Sequence, residues 1–130
     1  IRVRLLGGAS GIIVGAALFD VALDGQCLRE IGATLGSGAV MVLDDRVAPW
    51  EVVRRVARFF AHESCGKCYP CQMGTQRQVE IVERLRTGQA RPHDRLDLDD
   101  LAGAMRDASL CGLGQTASGA ILSAVELFGG

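Results

Sequence analysis

The spacing of apolar and polar residues changes near residue 45. Before that point, short apolar runs rich in β-branched residues are separated by glycine-containing turns, a pattern typical of short strands. It predicts two to four strands with tight turns, and a brief helical turn near Cys27–Ile31. The clearest strand-length runs are Val3–Leu6, Ile12–Val14 and Val40–Leu43.

After residue 45, apolar residues recur at helical spacing. Pro49 suits the first turn of one helix, and a second helix is predicted from about Thr75 to Arg86. Asp97 is a good N-cap for a third helix, and a fourth covers about Thr116 to Phe128. Four short helices joined by short loops favour an antiparallel bundle.

Composition and charge narrow the classes of function. Of the 130 residues, 48% are hydrophobic, so a core can form and disorder is not expected. The net charge of −1 gives no electrostatic case for a nucleic-acid partner. Direct membrane insertion is not expected, because no apolar stretch approaches the roughly 20 residues that span a bilayer. A secretory signal is not expected either, because there is no cationic start followed by an apolar core and a small-residue cleavage site. A chain that starts at Ile1 is expected to be part of a longer or processed product.

The five cysteines carry the candidate chemistry. Their number is odd and three of them fall within seven residues, unlike the even, dispersed set of a secreted disulfide scaffold. Metal or cluster binding in a reducing compartment fits this pattern better, and the cytoplasm is the expected location. Cys27 stands alone and is expected to be a buried, small apolar side chain.

Cys65, Cys68 and Cys71 have C-x-x-C-x-x-C spacing, and Cys111 lies 40 residues further on. A [4Fe–4S] cubane needs one thiolate for each iron. The triplet falls between the first two predicted helices and Cys111 between the last two. Both loops lie at the same end of an up-down bundle. The sequence therefore predicts one [4Fe–4S] cluster held by these four cysteines.

Two other interpretations stay open. Structural zinc also takes four cysteines, usually as two separated C-x-x-C pairs, and the chain would then be a zinc-stabilised, non-catalytic interaction module. A redox-sensing cluster would need reversible cluster loss under oxidants, and nothing in the sequence favours it. The three-plus-one spacing favours the cubane over zinc.

Residues beside the cysteines suit an anionic cluster. Gly66 and Gly112 let backbone N–H groups approach sulfur, and Lys67 adds positive charge. Alternatively, Lys67 is an ordinary solvated lysine and Gly112 only shapes a turn. A second helix beginning just after Cys71 would point the positive end of its dipole at the site. His62 is expected to be a capping or surface residue.

Two segments resemble a known family. E-S-C-G-K-C-Y-P-C at 63–71 and S-L-C-G-L-G-Q-T at 109–116 resemble the flavin-bearing, NADH-binding subunit of respiratory complex I. They also resemble its relatives, the diaphorase subunits of NAD-linked hydrogenases and formate dehydrogenases. Residues 35–44 and 7–11 are similar to parts of that family's soluble-ligand-binding β-grasp domain. The pair Gln115-Thr116 favours the hydrogenase-type relatives over complex I.

The resemblance implies an α+β chain, with a partial β-grasp segment at 1–45 and a four-helix [4Fe–4S]-binding bundle at 46–130. The family places this cluster beside FMN, which accepts a hydride from NADH and passes electrons on singly. Nothing in this chain resembles the domain that holds FMN and NAD(H). No catalytic residue is therefore expected here, and whether the chain is itself an enzyme stays open. The implied cluster ligands are Cys65, Cys68, Cys71 and Cys111.

The implied function is electron transfer within a multi-subunit NAD(H)-linked oxidoreductase. Expected partners are a flavin domain and a ferredoxin-like or thioredoxin-like iron–sulfur subunit, in the cytoplasm or at the cytoplasmic face of a membrane complex. The first β-grasp strands have no counterpart here. An unpaired sheet edge and exposed apolar surface are therefore expected, to be covered by a separate chain or by further sequence.

Overall fold

The computed structural model describes residues 3–129. Residues 1, 2 and 130, which belong to the predicted segments 1–45 and 46–130, lie outside this range. Three strands form one antiparallel sheet in the order β2-β1-β3: β1 (Val3–Leu6), β2 (Ile12–Val14) and β3 (Val40–Leu43). These are the three predicted strands. A short helix, α1 (Gly25–Glu30), replaces the predicted helical turn.

The β1–β2 connection depends on glycine. Gly7 and Gly8 have φ angles of 87° and 75°, in the left-handed region that only glycine enters without steric cost. They turn the chain so that Leu6 pairs with Ile12 across the sheet. The turn brings residues 8–11 close to the helical part of the chain, where Gly119 approaches the Gly11 carbonyl.

Five further helices follow β3, and the first begins at Pro49 as predicted. They are α2 (Pro49–Glu63), α3 (Tyr69–Arg86), α4 (Asp94–Ala108), α5 (Gly112–Thr116) and α6 (Gly119–Phe128).

Two predicted helix starts were too late. The helix α3 begins at Tyr69 rather than Thr75, because Pro70 fits a first turn, where its missing N–H is not needed. The helix α4 begins at Asp94 rather than Asp97. The buried Asp94 carboxylate accepts the backbone N–H of Arg91 at 2.8 Å and pairs with Arg84 of α3, which fixes the start of α4 one turn earlier.

The fourth predicted helix is divided in two. The helix α5 ends at Thr116, and α6 begins after Ser118. Ser118 is buried, and its hydroxyl accepts a hydrogen bond from the Gln78 side chain of α3. This contact holds the junction against α3 and separates the turn that follows Cys111 from the longer helix.

One hydrophobic core joins the sheet to the helices. β2 packs against α6, where the Ile13 N–H donates to Ser123 Oγ at 2.8 Å. The helix α2 packs on α3, α3 packs on α4, and α6 packs on both α2 and α4. The structure is therefore a mixed fold of helices and a small sheet, while the boundary at residue 45 stays a prediction. Core side chains from the two parts include Val3, Leu5, Ile13, Leu43, Val53, Phe60, Val82, Leu98, Met105 and Ile121.

The strand β3 is an edge strand with an exposed apolar surface. Val40, Met41 and Val42 are each about half exposed, at 44%, 49% and 51%. Exposed apolar edges favour pairing with another strand or burial by a partner. The exposed apolar surface expected from the sequence is present on this strand.

No helix among residues 3–129 combines the length and apolar character that crossing a membrane requires.

Candidate metal centre

Four cysteines surround one cavity of about 270 Å³. The cavity lies between the start of α3 and the turn that leads into α5. Its wall also includes Ser64, Lys67, Leu110 and Leu113. The cysteines that line it are Cys65, Cys68, Cys71 and Cys111.

Local backbone structure brings three of these thiols together. The helix α2 ends at Glu63, and Gly66 turns the chain with a φ of 74°, a conformation that favours glycine. Cys68 is the N-cap of α3, and Cys71 lies in the first turn of that helix. The positive end of the α3 dipole therefore points at the site, as predicted. The helix starts before Cys71, however, and not after it as the sequence analysis expected.

The fourth thiol comes from the other end of the sequence. Cys111 is the N-cap of α5 and directly follows the turn that ends α4. The predicted meeting of the two loops at one end of the helices is thus seen in the structure. Cys65 and Cys111 are exposed, whereas Cys71 is buried. The site has a buried floor and an open side.

The environment acts differently on two of the thiols. The pKa of the Cys68 thiol is lowered, mainly by the backbone N–H of Leu110. Burial acts to raise this pKa, while the N–H of Cys71 and the hydroxyl of Ser109 act to lower it. Burial raises the pKa of the Cys71 thiol, the three other cysteine charges add to this, and the Ser64 hydroxyl opposes it. N–H and O–H groups that favour thiolate are what a sulfur-ligated, anionic group requires.

Two serine hydroxyls also face the cysteines, and the sequence did not predict this role for them. Ser64 Oγ lies 3.3 Å from Cys71 Sγ. Ser109 Oγ is buried and has no hydrogen-bond partner of normal geometry among the described residues. Ser64 lies one position before Cys65, and Ser109 lies two positions before Cys111. This proximity in the sequence is the signal that could have indicated their place beside the cysteines.

Gly114 makes room for this arrangement. A Cβ at Gly114 would lie 2.6 Å from Ser109 Cβ and 2.9 Å from Cys71 Cβ, closer than side chains pack. The absence of a side chain at this position therefore lets α5 approach α3 and sets the separation of the two helix starts that carry Cys71 and Cys111.

Other residues considered from the sequence lie elsewhere or are solvated. Cys27, on α1, is partly exposed rather than buried, and the Asp24 carboxylate beside it raises the pKa of its thiol. His62 is exposed in the last turn of α2. Lys67 is exposed at the cavity wall.

The residues at this cavity fit an iron–sulfur cluster. Thiolates are the donors that such clusters take, and Leu113 adds an apolar side chain to the wall. Ser109, two residues before Cys111, presents a buried hydroxyl that lacks a partner among the described residues. Within residues 3–129, no three His, Cys, Asp or Glu side chains stand close enough together to hold a single metal ion. The four-cysteine ligand set stays a prediction.

Four thiols around one cavity, on a mixed fold of helices and a small sheet, are typical of an iron–sulfur protein. Comparison with known proteins gives the particular family. Residues 51–130 match the model described as the NADH-ubiquinone oxidoreductase-F iron-sulfur binding region, and the chain belongs to this family. The family resemblance predicted from the two cysteine-containing segments is confirmed, and so is a [4Fe–4S] cluster as cofactor.

Individual relatives come from two kinds of complex. The chain is 36% identical over 122 residues to the HndC component of the NADP-reducing hydrogenase of Solidesulfovibrio fructosivorans, covering 94% of this chain and 25% of that protein. It is 35% identical over 122 residues to the F component of the NADH-quinone oxidoreductase of Mycobacterium tuberculosis, covering 94% of this chain and 27% of that protein. The preference for hydrogenase-type relatives, and the link to formate dehydrogenases, stay predictions.

A solved structure shows the same fold. The NAD+-reducing [NiFe]-hydrogenase in the H2-reduced state superposes with a TM-score of 0.77 at 34% identity, covering 96% of this chain and 21% of that chain. The chain thus spans about a quarter of the length of the relatives that it matches.

Proposed function

We propose that this chain relays single electrons between a flavin and further iron–sulfur clusters of an NAD(H)-linked oxidoreductase. One [4Fe–4S] cluster would be the working group, and it supplies one-electron transfer between its 2+ and 1+ charge states when bound. The observation that carries the proposal is the meeting of four thiols around one cavity. The proposed ligands are Cys65, Cys68, Cys71 and Cys111.

The chain's own residues bind the cluster and keep one side of it accessible. Cys71, Leu113 and the α3 turn close the inner side, and the exposed Cys65 and Cys111 leave the other side open. An electron carrier needs such an open side, because its donor and acceptor must come close. No bond is made or broken here, and no catalytic residue is proposed.

Exposed apolar side chains beside the cysteines support a partner at this open side. Tyr69 follows Cys68 and is 74% exposed, and Leu110 precedes Cys111 and is 76% exposed. Large apolar side chains at this level of exposure favour burial in an interface. The proposed partners are a flavin domain and a ferredoxin-like or thioredoxin-like iron–sulfur subunit.

The proposal includes the architecture and the location. The four longer helices would form the cluster-binding bundle, and the sheet would be part of a β-grasp segment covered along β3. The odd, clustered set of five cysteines supports a reducing compartment such as the cytoplasm, or the cytoplasmic face of a membrane complex.

The relay is tested in the parent oxidoreductase. NADH gives its two electrons to the flavin as a hydride, and the flavin passes them on one at a time. We expect NADH to produce the EPR signal of this reduced cluster in the intact complex. After flavin extraction, NADH should no longer produce it, whereas dithionite still should.

Variants assign the signal to this chain. The signal should be absent in Cys111→Ser and unchanged in Cys27→Ser, because Cys27 lies outside the cavity. The relay proposal is wrong if the assigned signal appears with dithionite but not with NADH in the flavin-loaded complex.

A further inference from the structure

Ser64 directs its hydroxyl at one of the proposed ligand sulfurs. Its Oγ lies 3.3 Å from Cys71 Sγ, within the normal range for a hydrogen bond to sulfur. A cysteine sulfur bound to iron carries no proton, so it can only accept. In the cluster-bound protein the Ser64 O–H must therefore be the donor.

The end of α2 holds the backbone of Ser64 beside the cysteines. The Ser64 N–H donates to the Phe60 carbonyl at 3.0 Å, and Ser64 lines the cavity that the four cysteines surround.

We propose that Ser64 is a positioning residue that donates an O–H···S bond to Cys71 and thereby raises the reduction potential of the cluster. The inference rests on the ligand set of the proposed function. The reduced cluster carries one more negative charge than the oxidised one, so a hydrogen-bond donor stabilises it more. A higher potential makes the site a better electron acceptor for a reduced flavin.

The test uses two variants of nearly equal shape at position 64. Ser64→Thr keeps the hydroxyl and Ser64→Val removes it. The midpoint potential is measured in the full-length protein by EPR during titration with dithionite and mediator dyes. Ser64→Thr should keep the original potential. Ser64→Val should lower the reduction equilibrium constant about tenfold, which is about 59 mV for a one-electron couple.

Ser123→Ala is the control, because that hydroxyl bonds the sheet through the Ile13 N–H, away from the cysteines. It should leave the potential unchanged even if stability falls.

The outcomes separate this inference from the function on which it rests. A normal cluster signal with equal potentials in Ser64→Thr and Ser64→Val would overturn the role of Ser64 and leave the relay intact. If the unaltered protein holds no cluster, both the inference and the proposed function are wrong.

Discussion

Replacing Cys71 by serine is expected to reduce bound iron from about four atoms per chain to well below one. Cys71 is only 5% exposed and lies in the first turn of α3, and the one remaining cysteine, Cys27, does not line the cavity, so no other thiol can take its place. A serine oxygen is a hard donor that stays protonated at neutral pH, whereas a cubane requires a thiolate at each iron. Iron and acid-labile sulfide are measured after anaerobic purification.

The matched control is Cys27→Ser. It makes the same chemical change at a partly exposed thiol on α1, which does not line the cavity, and it should keep full iron and sulfide. Far-ultraviolet circular dichroism checks that both variants retain their helices. Equal iron contents in the two folded variants would exclude Cys71 as a ligand.

The second large effect is expected from Gly114→Ala. The added Cβ would lie 2.6 Å from Ser109 Cβ and 2.9 Å from Cys71 Cβ. Both atoms are bonded to backbone, so a rotamer change cannot relieve the overlap, and α5 must move away from α3. Overpacking of this kind costs about 1–3 kcal/mol. The free energy of unfolding should fall by about this amount in urea titrations. Cluster occupancy should fall with it, because the two helix starts that move apart carry Cys71 and Cys111.

Gly112→Ala is the comparison variant. It lies two residues away on the same short helix, and a Cβ there would have no neighbour within 4 Å. It should retain the urea midpoint and the iron content of the unaltered protein. If Gly114→Ala matches it in both measurements, close packing at Gly114 does not set the geometry of the site.

The strands were predictable because each is a short β-branched run between glycines. The runs Val3–Leu6, Ile12–Val14 and Val40–Leu43 match the observed strands. Helix boundaries were less predictable, because they depend on contacts distant in sequence. The pairing of Asp94 with Arg84, and of Ser118 with Gln78, decides where α4 begins and where the last helix is divided.

The cysteines of the site could be found from spacing, but their surroundings could not. The sequence has three cysteines at three-residue intervals and a fourth in a later loop, and this spacing predicted that the four thiols meet. The structure brings them to one cavity. The hydroxyls of Ser64 and Ser109 gave no comparable pattern. Their placement follows from the end of α2 and from the turn before α5, which only the folded chain shows.

The most direct test of the central claim is metal and sulfide analysis of anaerobically purified protein, with an EPR spectrum after dithionite reduction. We predict about four irons and four sulfides per chain and the spectrum of a single reduced cubane. Stoichiometric zinc without iron, in a colourless protein with no EPR signal, would contradict the account and make the four thiols a structural zinc site.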